Sequence, residues 1–235
     1  IFMGYDAPGG TWTTANSNYN VGIGNYVMDA AMNGALQNTA VGYAALSALT
    51  TGNQNTIVGN GAAVALTTGS YNTILGSEAA DSMTLGDYNV AIGYTAMGDA
   101  GTTDGIDKNI CIGAYAGDGF GNEAVEGTVI IGYAAGRGCE DEADGTIAIG
   151  YFAGSLITSG SENTVIGYQA GDAISTGGSN VLLGYQAGSA IVGNSNNVYV
   201  GTRAGDANTG EINVGIGTDA LGDASANVDS CVAIG

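Results

Sequence analysis

The chain has 235 residues, of which 43 are glycine and one is proline, with 45% hydrophobic residues and no histidine. Glycine at this level without a three-residue period excludes collagen, and the apolar content argues against disorder. The 22 acidic residues face only Lys108, Arg137 and Arg203, a net charge of −19, which excludes nucleic acid as a partner because three scattered cations cannot displace the counterions of a phosphate backbone.

In chain order, Ile1-Phe2-Met3-Gly4 is a truncated first copy of a pentad, Asn-x-x-aliphatic-Gly. Full copies follow, ending at glycines 24, 42, 59, 76, 93, 113, 132, 150, 167, 184, 201, 217 and 235. A near-constant period along the whole chain predicts one repeat array over 1–235, an all-β parallel solenoid of about thirteen short coils. A chain that starts at Ile1 reads as a mature product or a fragment of a longer fibre.

The residue before each glycine is aliphatic or Met, and the residue two places earlier is Val, Ile or Thr in every copy. β-branching at a fixed site suits a strand better than a helix. Because alternate residues share a face, this pair is assigned to the inside of the coil, and the residue between them to the outside. That middle residue is Phe2, Ile57, Ile74, Ile130, Val165, Leu182 or Tyr199 in seven copies. An apolar residue pointing outward predicts a strand buried on both faces, so these seven are the expected interface with further copies of the chain, in a homotrimer or a filament.

A second short element follows each glycine, most plainly in "GYQAG" at 167–171 and 184–188. Ala stands third after the glycine in twelve of thirteen coils, with Val27 the exception, which predicts close backbone approach. Tyr follows the glycine directly at 5, 43, 94, 133, 151, 168 and 185, and the expectation is a partial aromatic ladder used for packing. The opening Asn is read as a corner residue able to bond to its equivalents along the stack.

The coils between Gly93 and Gly150 are longer, and 99–144 holds ten of the 22 acids. Asp104, Asp107, Glu140, Asp141, Glu142 and Asp144 are the candidate ligands for calcium, which such oxygen donors suit, though neither an EF-hand loop nor a Gly-rich calcium nonapeptide is present. Solvated loops are the favoured reading, with no dedicated cofactor. Three cysteines, Cys111, Cys139 and Cys231, lack metal-binding spacing and are expected to be free or buried thiols.

The pentads "NVAIG" (89–93), "TIAIG" (146–150) and "CVAIG" (231–235) resemble the head repeat of trimeric autotransporter adhesins, and similar arrays occur in phage tail-fibre-like proteins. The resemblance implies a left-handed parallel β-roll with three chains side by side on a cell or virion surface. The expected function is a non-catalytic extracellular structural or adhesive fibre segment meeting a surface receptor or host glycan. The alternative is a phage tail fibre or self-assembling filament subunit, with glycan hydrolysis by paired carboxylates as the one catalytic option. No run of eighteen apolar residues is present to cross a membrane.

Overall fold

A computed structural model describes residues 1–10, 16–101, 105–121, 124–139, 143–222 and 228–235. Among them there is no helix. Fourteen short strands, from Phe2–Met3 to Val232–Ile234, form one parallel sheet, with one strand in each pentad and neighbours in sequence adjacent in the sheet. The chain is a parallel β-solenoid of about thirteen turns. Register is strict. Thr56 faces Thr73, Ile57 faces Ile74 and Val58 faces Leu75, and the next strand continues with Val90, Ala91 and Ile92.

The pentad glycine makes this stacking possible. At Gly76 φ is +153°, and a Cβ there would collide with the carbonyl oxygen of Gly93, which occupies the same place in the next coil. The same conflict recurs from Gly4 to Gly217. Only glycine combines that backbone angle with that approach.

After the glycine the chain enters a double turn instead of a second strand. Residues two and four places on are both left-handed, as at Gln169 (φ 50°) and Gly171 (φ 51°). The coils from Gly113 through Gly201 place glycine at the second of these sites, but the N-terminal coils hold Met28, Leu46, Ala63, Ala80 and Met97 there and the last coil holds Leu221, with φ between 46° and 57°. Such a conformation costs an L-residue about 1–2 kcal/mol. Hydrogen bonds between coils hold it in place, such as Leu46 N–H to Ala62 O (3.0 Å) and Ala63 N–H to Ala79 O (2.9 Å).

The expected assignment of the two strand faces is reversed. Ile57, Ile130, Val165, Leu182 and Tyr199 are fully buried within the coil, Ile74 is 1% exposed, and Phe2 is half-buried against the same core. These seven residues are therefore core residues and not an interface. The β-branched pair faces outward. The opening Asn has the same parity as the middle residue and is buried with it, which a corner placement did not anticipate. Facing the middle residue across the interior are the alanine third after the glycine, as at Ala62, Ala79 and Ala96, and a larger residue seven after it, as at Leu66, Met83 and Ile174.

Inside so thin a core, size is matched between levels. A Cβ on Gly22 would lie 2.6 Å from the ring of Phe2 one coil below and 3.1 Å from Val27, the one residue at its site larger than alanine. Gly215 likewise lies beside Tyr199, which would stand 3.0 Å from an added Cβ. The two glycines in the middle position are the sites where a neighbouring aromatic ring needs the space.

The longer coils spend part of their extra length on a second, two-stranded parallel sheet, Ile106–Asp107 against Val125–Glu126. Ile106 and Val125 are buried, so this acidic region is partly ordered by its own core contacts.

Candidate interaction surfaces

Four ranks of polar or aromatic side chains run along the solenoid, together with one apolar face. The innermost rank is asparagine. Asn72 Nδ2 donates to Asn55 Oδ1 (3.0 Å) and to the carbonyl of Gly86 (2.7 Å), while Asn72 Oδ1 accepts from the backbone N–H of Asn89 (2.9 Å). The pattern repeats from Asn20 through Asn72 and from Asn163 through Asn197. Thr128 continues it through its hydroxyl, which donates to Asn109 Oδ1 (2.9 Å). The buried amides of this rank are thereby paired, whereas Asn208 Nδ2, buried outside it, has no partner, and the rank is structural. Asn72→Ala is expected to cost about 2–5 kcal/mol, because the carbonyl of Gly86 and the N–H of Asn89 both lose partners out of reach of water. Asn72→Thr should cost less, and urea denaturation monitored by circular dichroism distinguishes the two.

A second rank lies two residues before the asparagine, where sequence reading saw only loops. Side chains there accept the backbone N–H of their equivalents one coil earlier: Ser70 Oγ from Asn53 (3.0 Å), Asp87 Oδ1 from Ser70 (2.6 Å), and Asp107 Oδ1 from Asp87 (2.8 Å). Asp144 Oδ1 accepts from Glu126 N–H (2.7 Å). Two of the six calcium candidates, Asp107 and Asp144, are thus engaged with backbone. Asp104, Glu140, Asp141 and Glu142 lie outside the described residues. Among the described residues no three carboxylates or thiols assemble as a metal-ligand set, and no cavity is present.

A separate acidic rank follows the double turns. Burial raises the Asp81 carboxyl above its ordinary range, and Glu78 and Asp99 raise it further; burial and then Asp99 do the same at Asp118, against the opposing charge of Arg137 at 3.7 Å. Between the ordinary carboxylate pKa and the raised folded values, the folded chain holds more protons than the unfolded one. Stability therefore falls as pH rises through that window and is regained on acidification. At low salt the melting temperature is expected to be higher near pH ~4.5 than at pH ~7, and Asp81→Asn should narrow the difference.

The tyrosines form the fourth rank. Tyr133, Tyr151, Tyr168 and Tyr185 stack with centroids 5.4, 5.1 and 5.4 Å apart and planes within 13°. Tyr94 and Tyr115 extend the rank edge to face, Tyr115 being supplied from a different site in its coil, and the guanidinium of Arg137 lies 5.5 Å from the centre of the Tyr115 ring. Within this run Tyr151 and Tyr168 are stacked on both faces, which leaves neither a free face for a sugar.

Cys111 and Cys139 are free and fully buried, and burial pushes the Cys139 thiol up to about 12 and the Cys111 thiol well above its ordinary value. Cys231 is half-buried at the pentad-opening position that asparagine occupies elsewhere, and its backbone N–H donates to Asn213 Oδ1 (2.9 Å). Iodoacetamide is expected to alkylate Cys231 in the native chain and all three thiols only after denaturation, as intact-mass spectrometry would record.

The outward strand face carries no charge. It consists of the β-branched and aliphatic pairs Val21/Ile23 through Val232/Ile234, and within the array Leu75 is 47% exposed, Leu183 44% and Ile23 41%. The Tyr rank adjoins it, directly after the pentad glycine.

No protein-family model, curated protein or solved structure matches the chain.

Proposed function

We propose that the chain is a non-catalytic structural or adhesive fibre segment: a stiff acidic rod on a cell or virion surface whose loops, chiefly those of 99–144, meet a receptor, a glycan or neighbouring fibres. The observation that carries this reading is the continuity of the stack, fourteen strands in a single parallel sheet with side-chain ranks bonded from coil to coil. Polar groups such as Asn72 and Asp107 are spent on the rod itself. A rod specified by uncharged pentads leaves loop length and charge free to change, which suits a display scaffold. The resemblance of "NVAIG" and its equivalents to adhesin head repeats supports a left-handed coil and three chains side by side, and it serves a phage tail fibre or self-assembling filament equally well.

Negative-stain microscopy of the purified chain tests this reading. Straight rods at least ~60 Å long, the span of thirteen strand spacings, are expected, as discrete spikes for an adhesin or tail fibre and as long continuous threads for a filament subunit. Round particles without a long axis would refute it. Turnover of a polysaccharide that is abolished by neutralising a carboxylate pair within 99–144 would instead make the chain an enzyme.

A further inference from the structure

The stacked tyrosines carry a chemistry that the packing of the rod does not use. Tyr133, Tyr151, Tyr168 and Tyr185 occupy the same site in four consecutive coils, with ring centroids 5.1–5.4 Å apart. Their backbones are pinned at the coil spacing, because the carbonyls of Tyr133, Tyr151 and Tyr168 accept the N–H groups of Phe152, Gln169 and Gln186 (3.0, 2.9 and 2.9 Å). The rings themselves are 44–48% exposed, so a diffusible oxidant reaches each phenol. Exposed side chains of this kind change rotamer in picoseconds to nanoseconds, which lets stacked rings turn until their edges meet. Tyr71 and Tyr88 form a second stack on adjacent coils, at 4.6 Å and 2°.

We propose that these stacks are sites of oxidative tyrosine coupling, which ties successive coils together through dityrosine. A one-electron oxidant of phenols, such as a haem peroxidase supplied with hydrogen peroxide, removes one electron and one proton from each of two neighbouring rings. The two phenoxyl radicals join through the carbons ortho to their oxygens, and the hydrogen on each joined carbon moves to the oxygen as aromaticity returns. The product has lost two hydrogen atoms, and one peroxide has become two waters. The stack supplies proximity, since each radical is held beside its partner at an effective concentration far above that of a second chain in solution. Each bond closes a loop of one coil and so restricts the unfolded chain, a covalent tie that the three free cysteines do not provide. The inference does not rest on the fibre reading.

Photo-oxidation of the whole chain at low micromolar concentration, by ruthenium tris-bipyridyl and persulfate in a Cys231→Ser background, tests the inference. Trypsin cleaves after Lys108, Arg137 and Arg203. A bond between Tyr133 and Tyr151 therefore joins the fragments 109–137 and 138–203 into one species, lighter by two hydrogens than their sum, which mass spectrometry identifies. That joined fragment is expected from the native chain, together with dityrosine fluorescence, and at least ~ten-fold less of it from chain oxidised in urea. Tyr151→Phe keeps the stacked ring and removes its phenol, so it should abolish the joined fragment while Tyr168 and Tyr185 still couple within 138–203. The inference is overturned by an absent joined fragment, by an equal yield in urea, or by a joined fragment that survives Tyr151→Phe. Coupling only between chains, seen as denatured species of twice 23.1 kDa, also overturns it.

Discussion

Ile74→Asp is expected to unfold the coils around it, and Leu75→Asp, one residue further along the same strand, is expected to leave them folded. Ile74 is 1% exposed and packs between Ile57 and Ala91 on the adjoining strands, whereas Leu75 is 47% exposed. A carboxylate at 74 would enter an apolar interior where its immediate neighbours offer no cation. An uncompensated buried charge of that kind places a substitution in the class above ~4 kcal/mol. In a stack whose coils contact only their neighbours the damage can remain local, so Ile57→Asp, Ile74→Asp and Leu182→Asp combined give the clearer signal. Loss of the β-type circular dichroism spectrum at 25 °C is expected for the inward triple and not for Val58→Asp, Leu75→Asp and Leu183→Asp combined. If the inward triple stayed folded and the outward triple did not, the two strand faces would be exchanged.

Gly76→Ala should be nearly as damaging, for reasons of backbone alone. With φ at +153° the position lies outside the regions open to an L-residue, and the added methyl would meet the carbonyl of Gly93, whose backbone is anchored by its N–H bond to Leu75 O (2.8 Å). Strain of this type costs about 1–3 kcal/mol before the collision is counted, so a total above ~3 kcal/mol is expected. Gly61→Ala is the control. There φ is +65° and the nearest atom to a new Cβ is Glu78 Cγ at 3.8 Å, and other coils hold Ala or Tyr at the same site, as at Ala44 and Tyr115. Its cost should stay at the ~1–2 kcal/mol of an L-residue in the left-handed region. Equal midpoints for the two variants in urea would contradict the role given to the pentad glycine.

How much of this the sequence shows depends on which symmetry a pattern breaks. The glycine period shows the solenoid and its coil count directly, because every coil obeys the same φ and stacking constraint at glycines such as Gly59, Gly76 and Gly93. The strand is visible in the β-branched pair. Which strand face points inward is not, since alternation defines two faces without labelling them and both are apolar here. A usable signal was present nonetheless: the middle position ranges from Gly22 to Tyr199 and compensates between neighbouring levels, as a confined interior requires, while the flanking pair keeps one size class throughout. The double turn after the glycine was hidden because Met28 and Leu46 adopt left-handed angles that residue type does not favour, and only hydrogen bonding between coils holds them there. The rank through Ser70, Asp87 and Asp107 was hidden because serine, asparagine and aspartate substitute for one another as acceptors, so no single letter repeats. Two of the proposed calcium ligands, Asp107 and Asp144, were legible as acids but not as acceptors of backbone N–H groups.

The central claim is a continuous rod that advances by one strand per pentad. Pulsed electron–electron spin resonance distances test it most directly, with nitroxides at Gln54 and, in turn, Tyr71, Tyr88 and Ser179, all exposed and at equivalent places in their coils, in a Cys231→Ser background diluted with unlabelled chain. The rod predicts backbone separations growing in proportion to coil number, to ~34 Å for the seven strand spacings between Gln54 and Ser179. A Gln54–Ser179 distance no longer than the Gln54–Tyr88 distance would mean that the chain doubles back, and would contradict the account.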